Sequence, residues 1–104
     1  MSERTVVDDP VAGRFEIRVG DAVGGYSEYR PEGAALALTH TVVESAYEGQ
    51  GIGSALAKGA LDAVRERGMK VLPYCPFIRG WIAKHPDYVD MVPEGERARF
   101  DLPG

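Results

Sequence analysis

Residues 14–19, RFEIRV, set Phe15, Ile17 and Val19 between charged neighbours, a period of two that predicts a strand with one solvated face. The preceding TVVDDPVAG predicts a short strand and a turn. Gly20-Asp21 and Gly24-Gly25 mark further turn or bulge positions, and YSEYR continues the meander until Pro31-Glu32-Gly33 turns the chain again. Residues 34–43, AALALTHTVV, form the longest apolar run. Polar side chains are nearly absent from it until Thr39, so it is expected as a central strand covered on both faces.

Beyond Gly53 the period lengthens. Ile52, Leu56, Ala60 and Val64 recur every fourth residue with Leu61 beside them, while Lys58, Asp62, Arg65 and Glu66 fall elsewhere, which predicts an amphipathic helix over 51–67. Gly68 after basic Arg65 and Arg67 suits its C-terminal cap. Gly59 costs about 1 kcal/mol relative to alanine inside a helix, so a close approach by another backbone is expected there. MKVLPYC at 69–75 predicts a strand. FIRGWIAKH at 77–85 predicts a shorter helix with Phe77, Ile78, Trp81 and Ile82 inward, stopped by Pro86. Residues 94–104 are charged and aperiodic and read as a tail, leaving residues 1–93 as one compact domain.

Composition limits what such a chain can do. One hundred and four residues, 44% of them hydrophobic, suffice for one core and not for two. Sixteen acidic against twelve scattered basic side chains give no electrostatic footprint for nucleic acid. The single cysteine, Cys75, cannot form an internal disulfide. No stretch approaches the roughly 20 apolar residues of a membrane span, and nothing reads as a secretion signal. The expectation is a cytoplasmic protein with a reduced thiol and no membrane or nucleic-acid partner.

The chemistry concentrates at YEGQGIGSAL, residues 47–56, where glycines occupy every second position at the mouth of the helix. A strand, a glycine-rich turn and a helix N-terminus form an anion site, because the first N–H groups lack intrahelical partners and the helix dipole favours negative charge. Two nucleotide motifs fail. The phosphate loop needs Gly-Lys-Ser/Thr where the chain has Gly53-Ser54-Ala55, and the dinucleotide fingerprint needs a third glycine where Ser54 stands.

Gln-x-x-Gly-x-Ala, from Gln50 through Gly53 to Ala55, does fit a pattern. With His40-Thr41 on the preceding strand and Cys75-Pro76 after the next one, the chain resembles the small single-domain branch of the GCN5-related N-acetyltransferases. The resemblance implies an α/β (α+β) fold. Its sheet would be mixed and mostly antiparallel, with a splayed central strand pair and two or three helices. It implies acetyl-CoA or CoA as cofactor, with backbone groups of Thr41, Val42 and Val43 pairing the pantetheine amides. The pyrophosphate would lie on the amides of Gly51, Ile52, Gly53, Ser54 and Ala55, with Gln50 and the Ser54 hydroxyl adding hydrogen bonds. Bare glycines would let the main chain approach phosphate oxygens.

The implied reaction is acetyl transfer to an unidentified amine on a protein or small molecule. It needs orientation, a proton acceptor and a way to settle the leaving thiolate. Cys75 is the candidate beside the thioester, although a lone cysteine also serves as a small buried hydrophobe. His40 is the candidate base, alternating with Leu36, Leu38 and Val42 on one face, where it could equally be a half-buried, hydrogen-bonded histidine. Cys75 and His40 on adjacent strands could form a thiol and imidazole pair. Tyr74 and Tyr47 are alternative proton donors or packing residues. Trp81 and Phe77 read as helix anchors, His85 as a solvated helix end, and Lys84 or Arg79 as candidate phosphate contacts. Cys75 and the two histidines lack the local spacing of a metal site. A non-catalytic CoA or acyl-CoA binding module would use the same glycines, and a thiol hydrolase built on Cys75 and His40 would leave them idle. The exposed edges of so small a sheet suit pairing with a second copy.

Overall fold

The structure is a computed structural model that describes residues 3–103. β1 (Arg4–Asp9), β2 (Arg14–Val19), β3 (Ala22–Glu32) and β4 (Ala35–Val43) form an antiparallel meander. The chain then turns into α1 (Ile52–Glu66), returns as β5 (Lys70–Pro73) parallel to β4, and continues into α2 (Pro76–Lys84). The sheet order is β1-β2-β3-β4-β5. It is a mixed, mostly antiparallel sheet with two α-helices, as the sequence led one to expect, and the segment after α2 runs in short 3-10 turns.

α1 covers one face of the meander. Ile52, Leu56, Ala60, Leu61 and Val64 are buried as their spacing requires, together with Phe15 and Ile17 from β2. Gly59 does mark a close approach, but by a side chain and not a backbone: an added Cβ would lie 2.4 Å from Val6 Cγ2 on β1. The Arg67 guanidinium stacks over the Phe15 ring and pairs with Asp8, fastening the helix end to β1.

Ala35 through Leu38 are buried on both faces of the sheet, as expected of a central strand. At Thr39 the strand changes character. Glu28 pairs with His40 and Tyr29 with Leu38, so Thr39 is an extra, bulged residue. Side-chain alternation reverses there, and Thr41 instead of His40 joins the face of Leu38. A second bulge sets Gly24 outside the β2 ladder, between the pairs Ile17 with Gly25 and Arg18 with Val23.

β4 and β5 pair only from Ala35 with Lys70 to Leu38 with Pro73. The Cys75 N–H donates to the Leu38 carbonyl at 2.9 Å, after which the chain swings into α2 while β4 runs on to Val43. The central pair therefore splays, leaving a slot beyond Leu38.

The charged C-terminal stretch read as a tail folds back onto the sheet. Phe100 and Leu102 are buried, and Phe100 meets Tyr74 edge-on at 5.4 Å between centroids. Its anchors are two apolar residues with no helical or strand period around them, which is why periodicity passed over them.

Candidate functional site

Gly51 is the N-cap of α1 with φ 74°, and Gly49 has φ 79°, left-handed conformations that glycine adopts without steric cost. The first helical bond runs from the Ala55 N–H to the Gly51 carbonyl at 3.1 Å. The amides of Ile52, Gly53 and Ser54 therefore carry no intrahelical partner, whereas the Ala55 amide expected among the pyrophosphate contacts is engaged in the helix. The first turn contains no acidic residue and no side-chain cap, so the positive end of the helix is uncovered.

These amides open into a cleft of about 430 Å³ lined by residues including Val43, Tyr47, Gly51, Ser54, Trp81 and Lys84. The Arg4 guanidinium approaches Gly51, and Lys84, His85 and the Glu48 carboxylate also line the cleft. The Trp81 indole N–H donates to Ser54 Oγ at 2.8 Å, which leaves the Ser54 proton for a ligand. His85 stacks on Trp81 at 3.8 Å between centroids. Its Nδ1 sits 2.7 Å from the Trp81 carbonyl, an acceptor, so Nδ1 carries the proton. Free amides, a left-handed glycine cap and cationic walls fit a phosphorylated ligand such as CoA.

Phe77 approaches the turn closely: a Cβ added at Gly53 would lie 2.8 Å from Phe77 Cζ, the far end of a side chain that can rotate away. Phe77 is 44% exposed, so it lies across the mouth of the cleft instead of anchoring α2, while Ile78, Trp81 and Ile82 are buried as expected. The Gln50 side-chain amide donates to the Ala46 carbonyl at 3.3 Å.

At the other end of the slot Cys75 is the N-cap of α2 and is 4% exposed. Its thiol lies 3.3 Å from Thr41 Oγ1, which is 3.1 Å from Ser27 Oγ. The structure does not bring His40 to Cys75. The bulge at Thr39 turns His40 to the opposite face, exposed and across from Glu28, and places Thr41 where imidazole was expected. Ser27, fully buried, went unremarked in the sequence because its partner Thr41 lies 14 positions away on another strand. Val43 packs beside the first turn of α1, and Val42 pairs with Tyr26. Tyr74 is tied to Glu32 at 2.8 Å and to Arg99 at 2.5 Å, and Tyr47 lines the cleft. Arg79 is not among the residues lining the cleft. Among the described residues no group of three or more His, Cys, Asp or Glu could hold a metal ion, and no helix is long and apolar enough to cross a membrane.

A meander whose fourth and fifth strands part above an uncapped helix N-terminus defines an acyltransferase-like fold. A family model for the GCN5-related N-acetyltransferases matches residues 14–91, and the chain belongs to that family. The chain is similar to the NATD1 proteins of human, mouse and chicken, at 43% identity over 49 residues. That match covers 47% of this chain and 43–44% of theirs, so the chain spans less than half the length of these relatives. The solution structure of a GCN5-like protein from Staphylococcus aureus superimposes with a TM-score of 0.66 at 25% identity, covering 89% of this chain and 91% of that one.

Proposed function

We propose that the chain is an acetyl-CoA-dependent N-acetyltransferase that passes acetyl through Cys75 to an amine on a protein or small molecule. One observation supports the reading: β4 and β5 cease to pair beyond Leu38, where Cys75 follows β5, and the free amides of Ile52, Gly53 and Ser54 open the helix that connects the two strands. Acetyl-CoA supplies an activated acetyl group. The amides and the Ser54 hydroxyl hold its pyrophosphate, and the unpaired edge of Thr41, Val42 and Val43 receives the pantetheine arm as another strand would. At Cys75 a bond forms between sulfur and the acetyl carbon, the thioester C–S bond breaks, and the thiol proton leaves with CoA. The amine then attacks the acetyl carbon, the C–N bond forms as the Cys75 thioester bond breaks, and a proton from the amine nitrogen passes to the Cys75 sulfur.

Ser54→Asp separates ligand binding from folding. A carboxylate at the start of α1 suits the helix dipole and raises stability by about 0.3–1 kcal/mol, yet it repels pyrophosphate. Calorimetric titration with acetyl-CoA and CoA should show saturable binding to the native chain, weakened at least about tenfold in the variant. Intact mass after incubation with acetyl-CoA should show one acetyl group confined to Cys75. Absence of binding at millimolar ligand would defeat the assignment. Binding without acetylation or turnover would instead establish a CoA-binding module, which the burial of Cys75 also suits.

A further inference from the structure

We infer that Thr41 and Ser27 are positioning residues for Cys75, forming a part-buried hydroxyl chain that aims and stabilises its sulfur where β4 and β5 part; the catalytic part of this inference rests on the proposed passage of acetyl through Cys75. Ser27 Oγ is fully buried, and among the described residues Thr41 Oγ1 is its hydrogen-bond partner, at 3.1 Å. Thr41 Oγ1 in turn lies 3.3 Å from Cys75 Sγ.

The Cys75 thiol donates to Thr41 Oγ1, and that oxygen, with two lone pairs, accepts from the Ser27 hydroxyl as well. The proton of the fully buried Ser27 is thereby placed. Once the thiol proton has left, the Thr41 hydroxyl can turn and donate to the sulfur. Cys75 also occupies the N-cap position of α2, at the positive end of that helix. Both features favour negative charge on sulfur as acetyl departs to the amine. A hydroxyl can donate or accept, so the pair serves the sulfur before and after its proton moves. Thr41 reaches this position only because the bulge at Thr39 turns it to the face of Leu38.

The test is the second-order rate of alkylation of Cys75 by iodoacetamide at fixed pH in the full chain, followed by intact mass, with thermal unfolding recorded alongside. Thr41→Val should slow the reaction roughly tenfold, since hydrogen bonds to charged groups are of that strength, while Thr41→Ser restores most of it and Ser27→Ala falls between. A Thr41→Val chain reacting at the native rate, or a Thr41→Ser chain as slow as Thr41→Val, overturns the inference. If Thr41→Val does not fold, Ser27→Ala decides alone, and a native rate there is equally fatal. Because iodoacetamide needs no CoA, a native chain that never becomes acetylated defeats the proposed transfer while leaving this comparison readable.

Discussion

Gly59 lies beneath Val6 so closely that a methyl group has nowhere to go, the nearest atoms being Val6 Cγ2 at 2.4 Å and Val6 Cβ at 2.6 Å. A β-branched side chain rotated about χ1 still keeps its Cβ in place, so rotation cannot relieve the overlap. Gly59→Ala gains about 1 kcal/mol of helix propensity and meets overpacking of about 1–3 kcal/mol. A net loss is expected, read as a lower urea midpoint with unchanged slope. Glu16 carries a different kind of constraint. It is almost fully buried on β2, and hydrogen bonds from Arg14 at 2.8 Å and then Arg18 at 3.0 Å hold its carboxyl below the ordinary value. A depressed folded value means that this stabilisation is complete above the ordinary carboxylate range and is lost as pH falls through the folded one. Glu16→Gln should therefore lower the melting temperature at pH 7 and narrow its gap from the native chain at about pH 3. A gap independent of pH would remove the charge from the explanation.

At the scale of elements, the sequence made the helix and strands readable where one period persisted. Leu56, Ala60 and Val64 repeat at the helical spacing, and Phe15 and Ile17 at that of a strand. Both patterns survive folding because one face of each element meets the core. β4 was legible only as far as Leu38. LTHTVV carries no mark of an extra residue, so period two runs on through it and assigns His40 to the face that Thr41 occupies. The slot-facing pair of Cys75 and Thr41 was thus half visible: the cysteine stood out by its chemistry, while its partner depended on a register that only pairing with β3 sets. The glycine turn was legible as a turn before a helix, but the approach of Phe77 from a later helix to Gly53 is a contact no local window contains.

Across the whole molecule, the stretch after α2 ties several elements together. It bonds first to α1, through Arg65 with Asp87 and Asp90 and through Tyr88 with Asp62, and then Arg99 reaches Tyr74 and Glu96 while Phe100 and Leu102 enter the core. Phe100→Ala should cost about 3 kcal/mol, the usual loss for an emptied aromatic site, and chemical denaturation would measure it. A loss under about 0.5 kcal/mol, typical of surface substitutions, would show the segment to be a loose appendage after all. A shallow hollow of about 360 Å³ remains between this segment and the start of β4 and β5, lined by residues including Glu32, Ala35, Leu72 and Glu96.

The extra residue at Thr39 divides one strand into two phases. From Ala35 to Leu38 the side chains answer to a crowded interior on either side, and a change of volume there is felt throughout the fold. From His40 to Val43 the same backbone obeys the opposite parity and answers to the slot, the open face and β3. The two halves therefore form separate ledgers of constraint within nine residues, so chemistry at the slot can be altered without rewriting the packing that holds the strand in place.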